Sequence, residues 1–152
     1  MNDGMITEKL MNALRGDERY EVIENLDNSE IRGASVVSVG VDETTQANVG
    51  LPDYRSKVSV YVSSHVSEDD TGQSFRDICQ EVMGRLEKYT LQEAPLSSLF
   101  GEVPVVGFFF DGSKMMTVDD AYGKCYLAHL EYTVITSFQK ETYMRKHNNG
   151  EH

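Results

Sequence analysis

The sequence has no tryptophan, three prolines and two cysteines in 152 residues. Two cysteines make no disulfide framework in a chain of this length, so stability must come from a buried apolar core. Cys79 falls in a helical pattern and Cys125 in a strand pattern, and both are expected as reduced, partly buried thiols. Base is scarce too: 14 basic residues face 25 acidic ones, a net charge of −11. Such a chain repels nucleic acid and anionic membranes. No segment approaches the roughly 20 consecutive apolar residues that span a bilayer. The opening "MNDGMITEKL" carries acid where a signal peptide carries base. A cytoplasmic protein is expected, or one built into a particle assembled in the cytoplasm.

The common signatures of chemistry are also missing. There is no G-x-x-x-x-G-K-[ST], no G-x-G-x-x-G, no G-x-S-x-G, no C-x-x-C and no H-E-x-x-H. With no tryptophan and few clustered bases, an aromatic platform for single-stranded nucleic acid is absent as well. The small basic patch Tyr143–Met144–Arg145–Lys146–His147 is too short to outweigh the acidic balance. The expectation is a protein that is not an enzyme and holds no cofactor and no metal.

What is present is a globular pattern. Apolar residues make up 39% and charged residues 26%, as in a single soluble domain. In residues 5–15, Ile6, Leu10 and Leu14 recur at four with Met11 beside them, one apolar face of a short helix that Gly16 can stop. Residues 18–30 are ambiguous: Tyr20, Val22 and Ile23 can start a strand or extend the helix. Val37, Val39 and Val41 alternate with Ser38 and Gly40, a strand over 31–41. Residues 42–53 read as a long loop.

The clearest strand is "KVSVYVSSHV", 57–66, with Val58, Val60 and Val62 on one side. Phe75, Ile78, Val82, Leu86 and Tyr89 then recur at three and four, the main helix over 73–89. Residues 91–104 read as a connector. "VVGFFF" at 105–110 is a strand ending at the turn signal "DGSK". The last strand spans 124–138, with Tyr126, Ala128, Leu130, Tyr132, Val134 and Thr136 on one face. It is long against a typical length of roughly 5–6 residues. It is therefore expected to curve or to meet a neighbouring chain. Residues 139–152 read as a polar, flexible tail.

The expected fold class is α+β: a mostly antiparallel sheet of about four strands, with the 73–89 helix and the N-terminal helix packed on one face. It is expected as one domain over 5–138.

Candidate sites are few. His65, Glu68, Asp69 and Asp70 cluster before the main helix. A divalent cation favours carboxylates, but no calcium-loop spacing occurs. Helix capping explains every acid: Asp70 is the expected N-cap, with Gln73 answering in a capping box and the other acids favoured by the helix dipole. His129 and Glu131 share a strand face, but the further ligands a zinc site needs are missing. Asp119 and Asp120 read as turn acids.

The order of elements, with "LPDYRSKVSVYVSSHV" leading through "SEDDTGQSFRDICQEVMGRL", resembles the tail terminator, or tail completion, proteins of long-tailed bacteriophages. The resemblance spans about 5–138. It implies a virion protein assembled in the host cytoplasm, forming a homo-oligomeric ring, commonly six copies. That ring caps the tail tube and joins it to the head-side connector, with the tail tube protein and the connector protein as partners. DNA passes through without specific binding, and no catalytic residue is implied. The 124–138 strand and the 42–53 loop then become expected interfaces, through Tyr126, Leu130, Tyr132 and Val134 and through Val49, Leu51 and Tyr54. Asp42, Glu43, Glu68 and Asp69 become candidate lumen acids. The competing readings are a small acidic adaptor offering a sheet edge to another protein, and an enzyme around His65 and His129.

Overall fold

The computed structural model describes residues 3–24, 35–46, 53–66, 71–120 and 123–137. In chain order the elements are α1 (Asp3–Leu14), β1 (Glu21–Glu24), β2 (Val36–Gln46), β3 (Asp53–His65), α2 (Gln73–Thr90), α3 (Leu96–Phe100), β4 (Val105–Asp120) and β5 (Gly123–Ser137). The fold is α+β. Five strands form one sheet in the order β1-β2-β3-β5-β4. Three of the pairings are antiparallel, and β1 joins β2 in parallel.

Alternation in the strands divides the sheet into two faces. Val37 and Val39 of β2 pair with Val62 and Val60 of β3, which pair in turn with Ala128 and Leu130 of β5. All are buried on the side where the helices pack. The helices reach this face through spaced apolar rows: Ile6, Leu10 and Leu14 from α1; Phe75, Ile78, Cys79, Val82 and Leu86 from α2; Leu99 and Phe100 from α3. The three- and four-residue spacing is what keeps each row on one side of its helix.

α1 ends where Gly16 takes φ 98°. The hydroxyl of the buried Tyr20 then donates to the carbonyl of Leu14 at 2.6 Å, satisfying an acceptor that the helix end leaves open. Arg85 of α2 donates to the carbonyl of Arg15 at 2.9 Å, tying the two helices together.

Several expectations need correction. The sheet has five strands rather than about four, because Glu21–Glu24 adds β1 within the segment left open between strand and helix. The loop expected over 42–53 is strand at both ends: β2 continues through Gln46 and β3 begins at Asp53, with 47–52 outside the described residues. A register shift between Val41 and Glu43 lets the hairpin continue past the end of the valine alternation. "DGSK" is no turn either. β4 runs through it with a bulge between Phe110 and Gly112. The 91–104 connector holds α3. The N-cap position of α2 belongs to Gly72, at φ 77°, and no side chain caps it. The chain enters that helix through a left-handed residue, a conformation that favours glycine over aspartate. Asp70 lies outside the described residues, as do Val49, Leu51, Glu68, Asp69 and the 139–152 tail.

Candidate functional site

β5 is the longest strand expected from sequence, and it is not at an edge. It is hydrogen-bonded to β3 along one side and to β4 along the other. The interface expected on it is therefore taken up inside the chain. Leu130 and Val134 are 0% exposed and Tyr132 is 2% exposed, all under the helices. Tyr126 is half-buried, its ring stacked on Phe75 at 5.3 Å. Burial also pushes the Tyr132 hydroxyl well above the ordinary tyrosine range, and the Glu87 carboxylate nearby pushes it further. Tyr54, half-buried at the start of β3, pairs with Gln46 and Thr136.

The sheet ends instead at β4, whose only described neighbour is β5. This strand holds most of the exposed large apolar side chains among the described residues: Val106, Phe109, Phe110, Met115 and Met116. Met115 is 54% exposed and Phe110 42%. A long outer strand with apolar side chains is the kind of edge that other strands join. Phe110 also leans on Tyr132 at 5.3 Å between ring centres and borders a groove of about 420 Å³ toward Met83, Glu87 and Leu91. Thr90 and Tyr132 also line the groove, with Glu87 as its one carboxylate among the described lining residues.

The sheet face away from the helices carries a polar row across three strands. Ser59 of β3 donates to the carboxylate of Asp42, and its Oγ lies 2.7 Å from Nε2 of His129 on β5. Tyr61 stacks on the His129 ring at 4.4 Å. Glu131 Oε1 is 4.0 Å from the same imidazole nitrogen. These contacts resemble an acyl-transfer triad only in composition. Ser59 stands between the acid and the imidazole, and it is 1% exposed, so no substrate atom reaches its oxygen. The row is a cross-strand polar brace. His65 lies at the far end of β3, with Nδ1 3.8 Å from Cys125 Sγ.

Of the candidate lumen acids, Asp42 is exposed at the β2 bulge and Glu43 is exposed opposite Lys57. Asp119, at the end of β4, pairs with Lys124. Among the described residues, no group of three or more His, Cys, Asp or Glu side chains could hold a metal ion. No described helix is long and apolar enough to cross a membrane.

Sequence reasoning missed both the β4 edge and the Asp42–Ser59–His129 contacts. The partners of the brace are 17 and 70 residues apart, so only strand register brings them together. For β4 a signal existed: "FFDGSKMM" puts an apolar pair on each side of a short polar stretch. Compared with models of known protein families and with curated proteins, the chain matches none.

Proposed function

We propose that this chain is a structural assembly protein that self-associates, of the kind its resemblance to phage tail terminators suggests. In that role a closed oligomer caps the tail tube and joins it to the head-side connector, in a virion assembled in the host cytoplasm. The observation that carries the reading is β4: sixteen residues at the sheet edge with five large apolar side chains exposed. An apolar edge of that length invites aggregation unless a partner covers it. The alternation of helix and strand hairpin, α1–β2–β3–α2–β4–β5, supports the same reading. So does the charge of −11, which suits a passage through which DNA slides without phosphate contacts. Asp42 and Glu43, exposed on β2, are the described acids proposed to face such a passage.

The same edge supports a second reading, an acidic adaptor that binds another protein's strand along β4. Native mass of the purified full chain, with negative-stain images of the same sample, separates the two. A discrete oligomer of identical copies is the outcome expected of the assembly protein. A monomer that gains mass only with a foreign strand peptide would favour the adaptor.

A further inference from the structure

The residues along the outer edge of β4 are arranged so that the strand complements itself. Read in both directions from the bond between Gly112 and Ser113, the strand runs Asp111, Phe110, Phe109 one way and Lys114, Met115, Met116 the other. Antiparallel pairing of two copies about that point sets Phe110 opposite Met115, Phe109 opposite Met116 and Asp111 opposite Lys114. Within Phe109–Met116 each apolar residue meets an apolar one and the acid meets the base. Beyond it the same register sets Val106 opposite Asp119 and Val105 opposite Asp120, so the matched pairing is this central stretch.

The match holds only if opposed side chains lie on the same face of the joined sheet, and the register meets that condition for these three pairs. At the centre Ser113, beside Leu130 on the helix side, stands opposite Gly112, which has no side chain to place. Phe110 and Met115 stand beside Tyr132 and Ala128, on the helix side. Phe109 and Met116 stand beside Thr133 and Leu127, on the other side. Lys114 stands beside His129, also on that other side. The Asp111 carboxylate accepts a hydrogen bond from Thr133 Oγ1, which places it there too. The bulge between Phe110 and Gly112 makes this possible. It inserts one residue, and without it strict alternation would put Asp111 and Lys114 on opposite faces.

We infer that β4 pairs with β4 of a second copy, antiparallel about a two-fold axis at Gly112–Ser113, joining two sheets edge to edge with both helix layers on the same side. The inference rests on the self-association proposed above and makes its unit a two-fold dimer. A ring built from such dimers needs a second contact elsewhere on the chain, because a two-fold contact closes on itself. Such pairing satisfies outward backbone groups and covers Phe109, Phe110, Met115 and Met116 on both copies. A head-to-tail contact of β4 with β2 fits less well. Asp42–Gln46 of β2 offers acids, threonines and a glutamine where β4 presents aromatic rings and methionines.

Charge reversal on the full-length chain tests the inference by sedimentation velocity. Asp111→Lys sets lysine opposite lysine twice in its own dimer, and Lys114→Glu sets acid opposite acid twice. Each variant alone is expected to weaken dimerisation at least about tenfold, since like charges directly opposed repel. An equimolar mixture is different. A heterodimer of the two variants has an acid opposite a base at both positions, so the mixture is expected to recover wild-type association. Thermal melts of each variant confirm that it folds. Variants that associate like wild type, or a folded mixture that stays dissociated, would overturn the pairing while leaving self-association standing. A wild-type chain that is monomeric at every concentration would overturn both.

Discussion

Gly72 holds the first residue before α2 at φ 77° and ψ 2°, in the left-handed region. A side chain there costs about 1–2 kcal/mol in backbone strain. A Cβ would also stand 3.0 Å from the Arg76 guanidinium, which can move aside. Gly72→Ala is therefore expected to lower stability by about 1–2 kcal/mol, read as a shift in the denaturant midpoint with unchanged slope. Cys79 is 1% exposed on α2, and burial pushes its thiol up to about 11. The neutral thiol is a poor nucleophile, so iodoacetamide at neutral pH is expected to spare Cys79 in the folded chain and modify it in denaturant. Asp17 behaves oppositely. Hydrogen bonds from the Arg19 side chain and backbone lower its carboxyl to about 2. A carboxyl that ionises more readily in the folded chain stabilises the fold above the ordinary range near about 4. That contribution is lost as pH falls toward about 2. Melting temperatures taken from pH 5 down to pH 2 are expected to fall less steeply for Asp17→Asn than for the parent chain.

At the scale of elements, α2 anchors the helix layer through one buried row, and Leu86 in that row is 0% exposed. Leu86→Ala is expected to cost about 2–5 kcal/mol of unfolding free energy in chemical denaturation, through lost transfer energy and the cavity left behind. Tyr20→Phe removes the hydroxyl that donates to Leu14 and leaves that carbonyl to the longer contact from Arg85 at 3.4 Å. About 1 kcal/mol is the expected loss in the same experiment. These rows were legible in the sequence because the periods of helix and strand are local: α1, α2, β3 and β5 all fall where their spacing puts them. What was not legible was set by pairing. The Val41–Glu43 and Phe110–Gly112 shifts depend on the neighbouring strand, so "DETTQ" and "DGSK" looked like loop and turn. Around Glu21–Glu24 the sequence left strand and helix both open, and parallel pairing beside Val36–Val39 makes it a strand. The candidate interface was misplaced for the same reason. The length of β5 was visible, but not that β4 would continue beside it and leave itself at the edge.

At the scale of the whole molecule, two features support the proposed self-association. The core is closed by helices on one face of the sheet, and the last described strand on one side is long and apolar. The central stretch of that edge, Phe109–Met116, is complementary to itself. The polar contacts around His129 brace the sheet, with Ser59 buried between Asp42 and the imidazole. The proposed self-association requires the β4 edge to be covered by another copy. Hydrogen–deuterium exchange of the full chain, followed at residues 105–120 in dilute and concentrated samples, tests that most directly. The account predicts that amides of β4 exchange more slowly as concentration rises, while peptides from β3, already paired on both sides, do not change. Equal exchange along β4 at all concentrations would contradict it.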